Sequence, residues 1–356
     1  MALCYYITGH GFGHAVRTTQ VIKSLPPDLP LILKTTAPER LFREELPGRD
    51  FTYVHAEYDC GCLQSDSVTV LRRETLTRYG EIARENAARL PDEITFLRDH
   101  GVRCVASDIP SFPLQAARAA GIPGVAVANF TWHDIYVEYV ETDADAALLR
   151  QMAGEYAAAT MACLTPLSVP TVGEVFPNSE RVPIVARRGQ PMRDTLVEAL
   201  DVPRDKHLAL LYLGNWGLDI HWPALEQWKD WVFLLDSPLP QPVANVFAFD
   251  AYRWGYAEVA ASVDAVISKA GYGTITECIA NSVPLIYLPR RGFIEHEALV
   301  LGMNAWGGGV EVSEAAFFAG EWKAALHSAL AARPDPGVFP TNGADVIANK
   351  IVELCQ

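Results

Sequence analysis

The residues best suited to chemistry stand in a glycine-rich turn near the N-terminus, Thr8-Gly9-His10-Gly11-Phe12-Gly13-His14. The turn follows an apolar stretch typical of a buried strand, Leu3–Thr8, and precedes a helical pattern over His14–Leu25. Such a turn exposes backbone N–H groups beside the positive end of the helix, which suits an anion or a closely approaching ligand. The glycines alone would also fit a packing role, but packing does not require the two histidines.

Two common nucleotide sites lack essential parts in this sequence. The glycine spacing is G-x-G-x-G, and the next predicted strand leads into Lys34-Thr35-Thr36 without the acidic residue that holds an NAD ribose. No G-x-x-x-x-G-K-[ST] sequence is present, so an ATP-binding P-loop is also disfavoured.

Two further glycine turns occur in the second half of the chain. Lys269-Ala-Gly-Tyr-Gly-Thr274 follows the predicted strand Ala265–Ser268 and opens a predicted helix, Thr274–Ala280. The start of this helix suits a diphosphate, and Glu277 would then accept hydrogen bonds from a ribose diol. The alternative for Glu277 is a solvated helix residue. Leu213-Gly214-Asn215-Trp216-Gly217 either covers the same ligand or is an ordinary turn.

Short apolar segments alternate with helical patterns along the chain, which predicts the α/β class with parallel sheets. The predicted strands of the first half are Leu3–Thr8, Leu29–Thr35, Phe51–His55, Val102–Ser107, Gly124–Ala128 and Thr160–Leu164. Those of the second half are His207–Leu213, Trp231–Leu235, Asn245–Phe249, Ala265–Ser268 and Leu285–Leu288.

A proline-rich stretch separates the two halves, with six prolines from Pro166 to Pro203 and no long periodic pattern. We therefore predict an N-terminal domain over 1–165, a linker over 166–204 and a C-terminal domain over 205–340. The segment 341–356 is predicted to be a closing helix that returns toward the first domain.

Composition and charge exclude several classes of protein. The chain has 356 residues, 50% hydrophobic and 20% charged, which excludes disorder and favours two domains. The net charge of −14 without a Lys/Arg cluster makes nucleic acid an unexpected partner. With no leader pattern and no apolar run of about 18 residues, we expect a cytoplasmic protein without an integral membrane segment. Seven cysteines without regular spacing predict reduced thiols, and Cys60-Gly-Cys62 lacks a second pair for zinc.

The stretch Ile7-Thr8-Gly9-His10-Gly11-Phe12-Gly13-His14-Ala15 resembles the opening of the glycosyltransferase-like N-terminal region of plant arabinokinases and its stand-alone bacterial relatives. Further matches are Asp59-Cys-Gly61 with Gln64 and Asp66, Ser107-Asp108-Ile-Pro110, Gly121-Ile-Pro123, Val127-Ala-Asn129-Phe-Thr-Trp132, and Arg290-Arg291 followed by Glu297. The resemblance covers nearly the whole chain. The sugar-kinase domain of arabinokinases has no counterpart in this sequence, so sugar kinase activity is not expected.

The chain also resembles, more distantly, the MurG type and the plant family 1 glycosyltransferases. Gly13-His14 falls where MurG has a glycine-histidine pair, and Ser268–Glu277 is similar to the donor-binding segment of both families. The resemblance implies the GT-B fold, in which two Rossmann-like domains with mostly parallel sheets face each other across a cleft. It also implies a nucleotide-sugar donor, with UDP favoured, bound by the C-terminal domain.

The donor-binding residues that these patterns and the resemblance imply are Gly11, Gly13, Gly214, Asn215, Lys269, Gly271, Gly273, Thr274, Glu277, Arg291, His296 and Glu297. His296 and Glu297 fall where MurG has two polar residues on the sugar hydroxyls. MurG has two amides there and no lysine at the position of Lys269, so the identity of the transferred sugar does not follow from the resemblance.

Inverting sugar transfer needs a base that takes the acceptor's proton, and a histidine suits that task. His14 is the predicted base, oriented by Asp108. Plant family 1 enzymes pair a histidine after the first strand with a later aspartate, and Cys104–Asp108 resembles the segment that carries this aspartate. His10, in the same loop, is the rival for the role.

Asp143-Ala144-Asp145 has the D-x-D spacing of metal-dependent GT-A enzymes, but it precedes a helical run, where carboxylates cap a helix. We therefore expect transfer without a metal or another cofactor, from a nucleotide sugar to an unknown small-molecule or glycan acceptor. Two alternatives stay open. A nucleotide-sugar epimerase or hydrolase of the same fold would consume the donor without an acceptor, and a non-catalytic sensor would bind it without turnover.

Overall fold

Two parallel sheets, one in each of two units, organise the chain. Unit 1 comprises Met1–Val185 and Thr341–Gln356, and unit 2 comprises Ala186–Pro340. The structure is a computed structural model, and it describes the chain except for residues 1, 66–69, 214–219, 237, 240, 252 and 290–293. The α/β class predicted from the alternating segments is confirmed.

The strands of unit 1 are β1 (Ala2–Ile7), β2 (Leu31–Thr35), β3 (Thr52–His55), β4 (Val102–Asp108), β5 (Gly124–Ala128), β6 (Met161–Leu164) and β7 (Ser179–Arg181). They form one sheet in the order β3-β2-β1-β4-β5-β6-β7, with parallel neighbours throughout. The chain moves outward from β1 to β3 and then returns to the other side of β1 as β4. The strand order therefore reverses between β1 and β4.

Helices cover both faces of this sheet, as buried parallel strands require. They are α1 (Phe12–Lys23), α2 (Glu39–Glu45), α3 (Arg72–Asp99), α4 (Phe112–Ala120), α5 (Trp132–Tyr136) and α6 (Asp143–Tyr156). Alternate residues of β1 point to opposite cores, because successive side chains of a strand lie on opposite faces. Leu3 and Tyr5 join the core on which α1 packs, and Cys4 and Tyr6 join the core of α3 and α4.

The strands of unit 2 are β8 (His207–Tyr212), β9 (Trp231–Leu235), β10 (Val246–Ala248), β11 (Ala265–Lys269), β12 (Leu285–Leu288) and β13 (Gly309–Glu311). Its helices are α7 (Arg193–Ala199), α8 (Tyr256–Ala260), α9 (Tyr272–Asn281), α10 (His296–Trp306), α11 (Glu314–Ala319) and α12 (Lys323–Ala331). The parallel strand order β10-β9-β8-β11-β12-β13 repeats the pattern of unit 1. In this sheet the order reverses between β8 and β11.

The last helix, α13 (Gly343–Cys355), belongs to unit 1 although it follows unit 2 in the sequence. Ile347 and Ile351 lie in the core on which α1 packs. A Cβ at Gly343 would lie 2.1 Å from Pro183 O, so the start of α13 docks too closely for a larger residue. Both ends of the sequence thus contribute to the core of unit 1.

The strands missed by the sequence analysis are the short ones at sheet edges. β7 and β13 have three residues each, and all three residues of β7 are exposed, so no apolar run marks these strands. β7 lies inside the predicted linker 166–204, and the structure corrects that prediction by assigning 166–185 to unit 1 and 186–204 to unit 2. Prolines interrupt helical periodicity, but they do not exclude an edge strand. The cleft between the domains stays a prediction.

Candidate active site

Unit 1 places His14 and Asp108 at the point where its strand order reverses. Open α/β sheets bind ligands at such a point, outside the carboxyl ends of the strands. Asp108 is the last residue of β4, and α1 begins at Phe12, so His14 lies within the first turn of α1 and not at its head. The expected contact is formed, because His14 Nδ1 lies 2.9 Å from Asp108 Oδ1.

The imidazole ring of His14 is held on two sides. Its Nδ1 contacts Asp108, and Phe130 packs edge-on against it with ring centroids 5.6 Å apart. The side chain is 13% exposed, and Nε2 makes no hydrogen bond to residues that the structure describes. When Nδ1 donates its proton to Asp108, the lone pair of Nε2 is available to a ligand proton.

A buried arginine, Arg17, shares the carboxylate of Asp108 with His14. Arg17 Nε donates to Asp108 Oδ2 at 2.9 Å, and Arg17 Nη2 donates to Oδ1 at 2.5 Å. Thr18 donates to the same carboxylate at 3.1 Å, and Arg17 Nη1 donates to Asn129 Oδ1 at 2.7 Å. Both members of the ion pair are buried. The pair therefore forms a fixed support next to His14.

The charge state of Asp108 follows from this environment. Burial alone would raise the pKa of Asp108, but the Arg17 guanidinium and His14 more than offset it and lower the pKa from 3.8 to about 2. The carboxyl is therefore ionised at physiological pH. An ionised Asp108 favours the His14 tautomer that carries its proton on Nδ1.

The rest of the glycine-rich turn lies against the loop after β3. Gly11 is the N-cap residue of α1 with φ of 81°, which favours glycine. A Cβ at Gly61 would lie 2.2 Å from His10 Nδ1, so the His10 ring occupies the space beside that glycine. The His10 ring also packs edge-on against Trp132, with ring centroids 5.3 Å apart. At Gly13 a Cβ would meet no atom of the described residues within 4 Å, so none of their contacts there requires glycine.

A second buried carboxylate, Asp59, supports the same turn. Thr8 Oγ1 donates to Asp59 Oδ1 at 2.7 Å, and the backbone N–H of His10 donates to Thr8 Oγ1 at 3.2 Å. Burial raises the pKa of Asp59 from 3.8 to about 6, although Thr8 and the indole of Trp132 partly offset the rise. Asp59 thus joins the turn to the loop after β3 and titrates just below neutral pH.

We expect Asp59 to make the free energy of unfolding depend on pH. Its pKa is higher in the folded state, so the folded state binds the additional proton and this group stabilises the fold as the pH decreases. The gain should be about 2–3 kcal/mol between about pH 7 and about pH 4. Asp59→Asn keeps an acceptor for Thr8 and should remove that gain. Urea unfolding of both proteins at several pH values measures it, and parallel stability curves would contradict the expectation.

In unit 2, α9 begins directly after β11, beside the reversal of strand order between β8 and β11. Gly271 is the N-cap residue, and Gly273 and Thr274 lie in the first turn, so the helix begins two residues before its predicted start. No side chain of the residues that the structure describes caps this end, so its backbone N–H groups suit an anion. Lys269 ends β11 at the same edge of the sheet.

Glu277 lies in the second turn of α9 and is buried, which excludes the solvated alternative. Its Oε1 accepts a hydrogen bond from Arg187 Nε, and the two side chains form an ion pair. Arg187 stands in the segment that was predicted as a linker. The structure therefore adds a cation to the predicted donor site.

The structure describes only some of the other predicted donor residues. His296 and Glu297 are the first two residues of α10, and Glu297 is exposed. Three predicted donor residues, and two more residues of the matched motifs, lie outside the described residues: Gly214, Asn215 and Arg291, with Asp66 and Arg290. The donor role of this whole set stays a prediction.

The aspartates of Asp143-Ala144-Asp145 stand at the start of α6, as the capping interpretation requires. Thr142 is the N-cap residue and forms a capping box with Asp145. Asp145 also forms two hydrogen bonds of 2.7 Å with the Arg73 guanidinium. Within the described part of the chain, no group of three or more His, Cys, Asp or Glu is arranged to hold a metal ion. All seven cysteines lie in the described part of the chain, and none of them forms a disulfide bond.

The sequence analysis assigned no role to Arg17, Asp59 or Arg187. Arg17 had a signal, because it stands one helical turn after His14 on the same predicted helix, and a buried arginine there needs a carboxylate. Asp59 was visible only within a matched motif. Nothing in the sequence links Arg187 to Glu277, which is 90 positions away.

The chain is similar in sequence to known proteins. Residues 241–298 match the glycosyltransferase family 28 C-terminal domain, and this segment contains β11, α9 and Glu277. The chain is 29% identical over 367 residues to the L-arabinokinase of Arabidopsis thaliana. The alignment covers 99% of this chain and 34% of the arabinokinase, so the chain spans about a third of that protein's length.

Solved structures share the whole fold. The glycosyltransferase SnogD from Streptomyces nogalater gives a TM-score of 0.63 at 17% identity, covering 100% of this chain and 99% of that one. MurG from Acinetobacter baumannii gives 0.58 at 16% identity, covering 99% and 100%. The chain has the GT-B fold. The predicted resemblance to arabinokinases and to MurG is confirmed by these matches.

In this GT-B chain the strand order reverses at corresponding positions of the two sheets. One lies between the first and fourth strands of unit 1, and the other between β8 and β11 of unit 2. The first carries the His14–Asp108 pair, and the second carries the start of α9. Among the helices that the structure describes, none combines the length and apolar character needed to span a membrane.

Proposed function

We propose that the chain is a glycosyltransferase that moves a sugar from a nucleotide-sugar donor to an acceptor hydroxyl or amine. The observation that carries the proposal is the His14–Asp108 pair at the strand-order reversal of a GT-B fold. His14 offers an open Nε2 beside an ionised carboxylate, which suits a general base. The match of 241–298 to a glycosyltransferase domain supports the same activity.

The donor assignment rests on α9 of unit 2. Its uncapped start suits a diphosphate, and Lys269 adds a positive charge at the same sheet edge. Glu277 accepts from the ribose hydroxyls through Oε2, since Arg187 occupies Oε1. UDP is the favoured nucleotide, as the resemblance to MurG implies.

In the proposed reaction the acceptor attacks the anomeric carbon while the bond from that carbon to the diphosphate oxygen breaks, with inversion at the carbon. His14 Nε2 takes the acceptor's proton, and Asp108 stabilises the protonated ring. The N–H groups at the start of α9 and Lys269 stabilise the negative charge that develops on the leaving diphosphate. The mechanism therefore needs neither a divalent metal nor another cofactor.

An activity screen tests this function. The protein is incubated with nucleoside-diphosphate sugars and mixed small-molecule and glycan acceptors in the presence of EDTA, and release of the nucleoside diphosphate is measured. We expect release that requires an acceptor and persists in EDTA. Donor consumption without any acceptor would indicate an epimerase or hydrolase, and donor binding without turnover would indicate a sensor. Activity lost in EDTA and restored by Mn²⁺ or Mg²⁺ would overturn metal independence.

Glu277→Ala should weaken binding of the nucleoside diphosphate by about 1.5–3 kcal/mol, the range for a hydrogen bond to a charged group. Titration calorimetry measures the loss. Glu314→Ala is the matched control, because Glu314 is an exposed glutamate in the first turn of another helix of unit 2. Equal affinities of Glu277→Ala and the wild type would remove Glu277 from the donor site.

A further inference from the structure

Arg187 holds the carboxylate that the proposed function assigns to ribose binding. Its Nε donates to Glu277 Oε1, and the two side chains are only 13% and 11% exposed. Glu277 Oε2 makes no hydrogen bond to residues in the described part of the chain. One carboxylate oxygen is therefore fixed by an internal cation, while the other stays open to a ligand.

The backbone of Arg187 is fixed as well, because its segment is hydrogen-bonded along the C-terminal end of α9. Asn281 donates Nδ2 to Arg187 O at 3.2 Å and accepts from the Gly189 N–H at 2.9 Å. Arg188 Nε donates to Ala280 O at 3.1 Å. The guanidinium thus reaches Glu277 from a rigid base, and it restricts the rotamers of that side chain.

We propose that Arg187 is a positioning residue for the nucleotide-sugar donor, which fixes the Glu277 carboxylate so that Oε2 is preorganised for the ribose hydroxyls. The inference rests on the proposed function. Arg187 acts through Glu277 and needs no contact of its own with the donor. A side chain that is ordered before binding loses less conformational freedom on binding, so the donor binds more tightly.

A double-mutant cycle on Arg187 and Glu277 tests the inference, with UDP as the probe in titration calorimetry and with GDP, ADP, CDP and TDP where UDP gives no signal. Arg187→Ala should raise the Kd by about 5–20-fold in the wild-type background. In the Glu277→Ala background the same change should alter the Kd by less than about twofold. Arg187→Lys keeps the charge but not the planar guanidinium, and it should recover part of the affinity.

Arg204→Ala is the matched control, because Arg204 is an exposed arginine of unit 2 whose ion-pair partner, Asp194, lies outside α9. Its Kd should equal that of the wild type. Melting temperatures show that each variant is folded. If Arg187→Ala does not fold, Arg187→Lys replaces it in the double-mutant cycle. An unchanged Kd in the Arg187 variant, or an equal loss in both backgrounds, would overturn the inference and leave the proposed function intact. If the wild-type protein binds none of the nucleoside diphosphates, both the inference about Arg187 and the proposed function are wrong.

Discussion

His14→Ala is expected to lower turnover by about 10²–10⁴-fold while the affinity for the donor stays nearly unchanged. A general base acts only as the acceptor loses its proton, and the donor contacts proposed for Glu277, Lys269 and the start of α9 belong to unit 2. Arg17 has two hydrogen bonds of its own to Asp108, so the ion pair persists in the variant and maintains the surrounding structure. Turnover at saturating donor and calorimetric donor affinity measure the two effects separately.

The two histidines of the turn serve as controls for each other. With His14 as the base, His10→Ala should keep most of the turnover. His14→Gln can still donate a hydrogen bond to Asp108 but cannot take a proton, so it should be as slow as His14→Ala. Collapse of turnover in His10→Ala, alongside near-normal turnover in His14→Ala, would assign the base role to His10.

Asp108→Asn should lower the free energy of unfolding by about 3–5 kcal/mol, because the amide leaves the buried charge of Arg17 without its counterion. Asp108 has no exposed surface, and Arg17 is 4% exposed, so solvent does not screen the pair. The pKa of Asp108 is depressed in the folded state, so its stabilisation is present above about pH 4 and decreases as the pH falls toward about 2. Urea unfolding of the variant and the wild type measures the loss.

Replacing both partners provides the control for this ion pair. Arg17→Met combined with Asp108→Leu removes both charges, and it should cost less stability than Asp108→Asn alone. An unfolding midpoint in Asp108→Asn equal to that of the wild type would show that the ion pair does not support the fold. A rate loss in Asp108→Asn combines misorientation of His14 with lost stability, so only the His14 variants isolate the base.

The central strands were predictable because their residues share one property. Gly124–Ala128 and Trp231–Leu235 are continuous apolar runs, and their predicted bounds agree with the structure. An edge strand has a neighbour on one side only, and Ser179–Arg181 carries no apolar run. The pairing of β7 with β6 depends on the packing of the surrounding chain, and no local sequence pattern specifies that packing.

The meeting of His14 with Asp108 was predictable because parallel strands end at the same edge of a sheet. The register pairs Ile7 with Asp108, so the residues that follow β1 lie beside the end of β4. The contacts of Arg17 and Arg187 were not predictable in the same way. They join positions 91 and 90 apart through the burial of individual side chains, which periodicity does not specify.

The return of α13 to unit 1 makes unit 2 an insertion within the sequence of unit 1. A ribosome therefore synthesises all of unit 2 before it reaches the helix that covers part of the core on which α1 packs. Unit 2 is contiguous and can fold during synthesis, whereas unit 1 keeps an uncovered apolar surface until residues 341–356 emerge. A chain that stops at Pro340 would retain that surface and is expected to aggregate.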